Sequence, residues 1–454
     1  MRKFLVPLSS AALLSLSSLS AAGAAQAATD PAAPSLAPSA PSAPPTSAGS
    51  SAPAAQPIAS TTPVTSSVPV PALTLEAALA RAMASHPRLR AATYEVEAAD
   101  GAVQQAALPP NPSLGLEQED TRRETRTITV MLSQPLEIGG QRAARTALAQ
   151  RGRDLAQADL DTVRAELRAD VVSAFFNALI AQERVTASQE SLRIAGSGAE
   201  ATARRVVAGK LSPIDETRAR VAASAARIEL RQATSDQLVA RHALALATGI
   251  DEALIGPLDG RAGALPDLPD EAQIARRLAD APALRRARLE VERAQAAYEL
   301  ERSRRIPDLT VSLGAKRAQE IGRSQAVIGV SLPIPLFDRN QGAQREALKR
   351  RQAAEQLAEA ESARVRAEVL GAADELAARV DEVQTLSREV LPGAQEAHVA
   401  ATRGFELGKF GFLDVLDAQR TWLQARTQLL DALAKAHRAH ADLERRLGAP
   451  VQQP

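Results

Sequence analysis

At 454 residues and a formal net charge of +1, the chain is long enough for two or three ordinary domains and carries no global field that would draw nucleic acid or an acidic partner. Aromatic residues are only 2% of the total, and Ala, Arg, Glu, Gln and Leu dominate, a profile that speaks against compact globular domains and for long helices packed side by side through small residues. The absence of cysteine excludes disulfides, thiolate metal sites, cysteine nucleophiles and a lipidated N-terminal Cys.

In chain order, residues 1–27 read as a secretory signal peptide: Met1-Arg2-Lys3, a run of Leu, Ala and Ser, and a small-residue cleavage site at Ala25-Gln26-Ala27. Export follows, and no later stretch of eighteen apolar residues predicts a transmembrane helix. Residues 28–73 are almost all Ala, Pro, Ser and Thr and read as a disordered tether, too poor in apolar surface to offset the entropy of ordering. Thr74 is the expected N-cap of a first helix, and a second runs from His86-Pro87 to about Leu108, ahead of Pro109-Pro110-Asn111-Pro112.

The hydrophobic period then changes from 3.6 to 2. Ser113–Glu117 and Thr127–Ser133 alternate apolar with small or polar residues around a charged loop, Asp120 to Arg126, which predicts a β-hairpin. A second hairpin is expected about 195 residues later, with Leu309, Val311 and Leu313 in one strand, Ile328, Val330 and Leu332 in the other, and Lys316 to Arg323 as loop. Each hairpin is followed by a long helical stretch. Leu148, Leu155, Leu160, Val163, Leu167 and Val171 form the stripe of the first, Gly140 to Ala208, which at 1.5 Å per residue is on the order of 100 Å long. Val365, Val369, Leu376, Val380 and Val383 form the stripe of the second, which carries an expected kink at Pro392-Gly393.

Both long stretches end in the same turn. Gly209-Lys210-Leu211-Ser212-Pro213-Ile214-Asp215 and Gly408-Lys409-Phe410-Gly411-Phe412-Leu413-Asp414 lie 199 residues apart, and each is followed by a helix closing at Gly249 or Gly448. The chain is therefore a tandem duplication of helix, β-hairpin, long helix and helix, with repeat 1 at 74–250, a connector at 251–269 and repeat 2 at 270–449. Four strands per chain cannot close a barrel of useful width, so if they lie in a membrane several subunits must contribute to one barrel.

Chemistry-bearing constellations are few. No phosphate loop or HExxH pattern is present, and no catalytic arrangement, cofactor site or metal site is expected. His437 and His440 could offer two metal ligands at most and read as a solvated helix face; His86, His242 and His398 are isolated, and Glu117 and Glu119 point together from the first hairpin as part of a polar lumen or loop.

The ordered set Leu391-Pro392, Ala394, Glu396-Ala397, Gly408 and Phe412-Leu413-Asp414-Val415-Leu416-Asp417-Ala418-Gln419-Arg420 resembles the TolC-like outer-membrane efflux channels, and within them the CzcC-like branch of heavy-metal efflux. So do the post-hairpin runs Gln134–Arg142 and Leu332–Gly342. The resemblance implies a mainly α fold with a membrane β-barrel contribution: a homotrimer whose twelve-stranded barrel sits in outer-membrane lipid and continues as a periplasmic α-helical tunnel. It further implies a periplasmic adaptor, an inner-membrane efflux pump of the RND type and a passive duct that is not an enzyme.

Under the same resemblance Asp414 and Asp417 ring the periplasmic aperture, with Asp215 as the counterpart of Asp414 in repeat 1. Dipole stabilisation of a helix N-terminus is the competing role for Asp215 and Asp414. Gly209, Lys210, Gly408 and Lys409 would form the tips where the adaptor docks, unless they serve chain reversal alone. A soluble periplasmic coiled-coil adaptor is the alternative function, and export of drugs or of protein by a type I system is the alternative for the duct.

Overall fold

The computed structural model describes residues 72–448. The expected signal peptide and all but the end of the expected tether lie outside the described residues. Leu73, expected as the last residue of that tether, is instead buried and forms a parallel bridge with Leu258, its N–H donating to the Pro257 carbonyl at 2.9 Å.

Repeat 1 comprises α1 (Leu75–Ser85), α2 (Pro87–Ala107), β1 (Ser113–Glu119), β2 (Thr127–Leu136), α3 (Gln141–Val207) and α4 (Pro213–Thr248). Repeat 2 follows with α5 (Glu271–Ala279), α6 (Pro282–Ser303), β3 (Leu309–Ala318), β4 (Arg323–Ser331), α7 (Gln341–Thr385), α8 (Leu391–Glu406) and α9 (Phe412–Leu447). The starts obey local chemistry. Thr74 Oγ1 accepts the Ala77 N–H, His86 Nδ1 accepts the Arg88 N–H ahead of a helix opened by Pro87, and Ser212 caps the helix opened by Pro213.

Where α3 is unbroken over 67 residues, its counterpart is divided by a π-helical turn at Leu386–Val390. The irregularity lies one turn before the Pro392-Gly393 step at which the sequence predicts a kink. Pro392 has no N–H for the carbonyl four residues back, and the helix accommodates this with a wider turn in which the Leu391 N–H bonds the Leu386 carbonyl.

The four strands form one antiparallel sheet in the order β1-β2-β3-β4, and the central pairing, Thr127↔Ala318 through Leu136↔Leu309, joins the repeats. The second hairpin is longer than the sequence suggests. Lys316 lies inside β3 opposite Thr129 and Gln325, and the turn shrinks to Gln319–Gly322, with Gly322 at φ +66°. Strand alternation gives the sheet an apolar face carrying Leu116, Val130, Leu313 and Ile328 and a polar face carrying Ser133, Ser312, Thr129 and Lys316.

Around α3 pack α2, α4, α6 and α9, and α7 lies between α6 and α9. One buried cluster gathers the middle of α3 (Leu167, Val171, Phe175, Leu179) with α1, Leu244, the connector residues Ile255 and Leu258, and α9. A second joins Val365, Val369, Leu376 and Val380 of α7 to Leu284, Leu443 and Leu447. Of the stripe expected on α3, Leu155, Leu160, Leu167 and Val171 are buried while Leu148 and Val163 are half-buried. All five expected positions of the second stripe are buried.

Candidate functional site

The twin turns share one geometry. After α3, Gly209 takes φ +67° and its N–H bonds the Val206 carbonyl, while the Lys210 N–H reaches the Arg205 carbonyl at 2.9 Å. After α8, Gly408 takes φ +73°, bonding Phe405, and the Lys409 N–H reaches Gly404 at 2.8 Å. Each is a Schellman reversal, in which the left-handed residue lets two amides satisfy the last carbonyls of the helix, and glycine enters that conformation without a Cβ penalty. Lys210 and Lys409 are both exposed beside the reversal.

The aspartates are not equivalent. Asp414 Oδ2 accepts the Gly411 N–H at 2.8 Å, so the capping role weighed against an aperture role is occupied at this residue. Asp215 sits in the first turn of α4 with Arg218 3.7 Å away. Asp417, one turn into α9, is exposed and forms no ion pair within 4 Å among the described residues. Asp414 and Asp417 together line a crevice of about 560 Å³ between the starts of α4 and α9, with Thr217, Arg218, Val221, Leu413 and Arg420 on its other walls; Asp215 is outside it.

Sequence reasoning missed how the second tip is held. The Arg205 guanidinium lies 4.3 Å from the centroid of Phe405, and Phe405 packs against Phe412 at 5.8 Å. A cation over an aromatic face is attracted by the ring quadrupole, which ties the end of α3 to the end of α8. Gly404 leaves room for the Phe410 ring, into which a Cβ there would run. A signal was available: three of the seven Phe of the chain fall between residues 405 and 412. Behind this packing a cavity of about 340 Å³ opens between α3, α4, α8 and α9, bordered by Gly198, Thr202, His398 and Phe405. His398 stacks on Trp422, and burial lowers its pKa.

The histidine pair on α9 corrects an expectation. His437 and His440 are 4% and 3% exposed, inside the helical packing rather than on a solvated face. His437 stacks on Phe176 with centroids 3.5 Å apart, its Nε2 lies 3.4 Å from the Ala262 carbonyl, and burial pushes its pKa down to about 4. Burial also lowers His440, with Glu444 and Asp267 opposing. Among the described residues no group of three or more His, Cys, Asp or Glu side chains could hold a metal ion, and no helix is long and apolar enough to cross a membrane. On the sheet, Glu119 meets Lys316 at 3.2 Å on the polar face, and the exposed Glu117 forms no ion pair among the described residues.

The model of the outer membrane efflux protein family matches residues 78–250 and 274–449. The cobalt-zinc-cadmium resistance protein CzcC of Cupriavidus metallidurans is 46% identical over 83% of this chain and 90% of its own length. The nickel and cobalt resistance protein CnrC of the same organism is 30% identical over 64% of this chain and 69% of its own. Among solved structures, CusC superposes with a TM-score of 0.71 at 19% identity, covering 83% of this chain and 92% of that one. The outer membrane protein VceC of Vibrio cholerae superposes at 0.67 and 19%, covering 83% and 97%. At such identity the superpositions speak for the shared fold of long helices and a short-stranded sheet.

Proposed function

The chain belongs to the outer membrane efflux protein family, and from that premise we propose that it is the passive exit duct for divalent heavy-metal cations in a tripartite efflux system. The carrying observation is the 46% identity to CzcC across nine-tenths of that protein. An inner-membrane pump of the RND type loads the duct through a periplasmic adaptor, and the duct itself performs no covalent chemistry.

The sheet supports a barrel shared by three chains. β1 and β4 are edges with no partner strand among the described residues, and edge hydrogen-bonding groups left open in lipid would each be unsatisfied at a cost of several kcal/mol. Four strands from each of three copies close a twelve-stranded barrel with the apolar face outward and the Ser, Thr, Lys and Glu face lining the lumen. The paired helices of the two repeats then form the tunnel. Its aperture is drawn by Asp417 and the crevice it shares with Asp414; Arg218 and Arg420 border the same crevice, and Asp417, without an ion pair among the described residues, is the carboxylate left to favour cations in a narrow pathway. Asp215, near Arg218, plays the lesser part. The adaptor docks on the reversals at Gly209-Lys210 and Gly408-Lys409, where the chain presents compact charges on turns fixed by their own hydrogen bonds.

In cells that keep such a pump and adaptor but lack their outer-membrane component, the full-length chain should restore growth in cobalt, zinc or cadmium and lower the cell-associated metal. A chain that reaches the outer membrane as a trimer yet leaves metal accumulation unchanged would overturn the metal assignment.

A further inference from the structure

Two adjacent cations on β3 are treated in opposite ways by the sheet. Alternation turns Lys316 onto the polar face, where its Nζ lies 3.2 Å from Glu119 across the buried β2 residues Thr127 and Thr129. Arg317 turns onto the apolar face, in register with Ile128 on one side and Ser324 on the other. It is exposed, and among the described residues no carboxylate lies within 4 Å of it. A guanidinium without a protein partner is thus presented on the face that also exposes Leu116, Val130, Leu313 and Ile328.

Its height on that face is informative. From Arg317 to Leu309, paired with Leu136 at the far end of the β2–β3 ladder, is eight residues, roughly 27 Å along a strand at about 3.4 Å per residue. At a tilt of about 40° that is roughly 20 Å of vertical rise, near the roughly 25 Å of the lipid-facing band of a membrane barrel. Arg317 therefore stands where the apolar band ends, at the rim bearing the hairpin turns, where Arg122 and Arg123 are also exposed and, among the described residues, neither guanidinium has a carboxylate within 4 Å. The opposite rim exposes Ile334 and Phe337 beside the charged Asp338 and Arg339. The strands carry no Trp or Tyr, so the aromatic side chains that mark the interfaces of most membrane barrels are absent from them.

We propose that Arg317 binds the phosphate of net-anionic lipid headgroups, in preference to zwitterionic ones, in the leaflet reached by the hairpin turns, fixing the outer boundary of the barrel where an aromatic ring would otherwise stand. The planar guanidinium fork matches a phosphate in a two-point contact, and continuity with the apolar face selects a lipid, because any ligand reaching Arg317 from that side must lie along the hydrocarbon boundary. This inference rests on the barrel reading above.

The absence of cysteine makes the test direct, since one introduced thiol can carry a spin label alone. Labels at 313, 315 and 317 are read in phosphatidylcholine vesicles for collision with oxygen, which enters the hydrocarbon, and with a water-soluble nickel chelate. Positions 313 and 315 should favour oxygen and 317 should mark the crossing. In parallel, Arg317→Gln and Arg317→Lys trimers are compared with wild type by native mass spectrometry after exchange into mixed phosphatidylglycerol and phosphatidylcholine. One cation near a headgroup corresponds to about a fivefold preference for the anionic lipid, which Arg317→Gln should abolish and Arg317→Lys should partly keep. Unchanged lipid preference in Arg317→Gln, with 313 and 315 lipid-embedded, would overturn the headgroup contact alone. Water at 313 and 315 would overturn the barrel and the contact with it.

Discussion

Acid should loosen the place where the connector crosses α9, and His437 sets how much. The imidazole is 4% exposed, sandwiched between Phe176 and the Ala262 carbonyl, with its pKa held at about 4 by burial. In the unfolded chain it returns to about 6.5. Between those values the unfolded chain binds a proton that the folded chain refuses, so stability present above about pH 6.5 is lost as pH falls toward 4. At about 1.36 kcal/mol per pH unit the loss reaches about 2.5 kcal/mol per chain by pH 4.5. Burial lowers His440 as well, so it acts in the same direction. The perturbation is His437→Phe, which keeps a flat ring on Phe176 and removes the titration. Thermal unfolding followed through Trp422, the single tryptophan, is compared at pH 7.5 and 4.5 in the same detergent. Wild type should lose several degrees more than the variant over that interval. Parallel losses in the two proteins would refute the argument, since the histidine would then contribute nothing to acid lability.

Two further outcomes follow from named contacts. Gly314→Ala should prevent assembly of detergent-resistant trimers, because a Cβ there would collide with the Val130 carbonyl across the central strand pairing; Gly329→Ala, whose Cβ would meet only Ser312 at an ordinary 3.7 Å, should assemble normally. Replacing Asp414 and Asp417 with Ala should weaken cation preference and divalent block in planar bilayers with the trimer intact, and the Asp414 change alone should increase proteolysis at the second tip, because the Gly411 N–H loses its carboxylate acceptor.

Much of the architecture was readable from the sequence because it is written in local chemistry. The period change at Ser113 and Leu309, the proline-opened helices, and the glycines at 209 and 408 each constrain the backbone within a few residues, and the structure follows them. What escaped depended on distant neighbours. Nothing near Lys316 says that Thr129, 187 residues earlier, will pair with it and carry it into a strand beside Glu119, so the loop expected from local sequence is longer than the observed turn. Polar spacing made His437 and His440 look solvated, whereas Phe176 and Ala262 arrive from other parts of the chain to cover His437. Of the candidate site, the reversals were legible in full. The division of labour between Asp414 and Asp417 was not, since a capping contact depends on where the Gly411 amide points.

The contrast between the unbroken α3 and the divided α7–α8 makes the duplicated halves unequal struts. In α3 the hydrogen-bond ladder runs without interruption from the sheet to the first tip. The partner strut is interrupted by the wider turn at Leu386–Val390, so α7 and α8 are separate hydrogen-bonded segments, and the Arg205–Phe405 contact fastens the second to the end of α3. In the proposed ring of three chains, continuous and interrupted struts would alternate around the circumference, which reduces a six-fold-like arrangement of helices to three-fold.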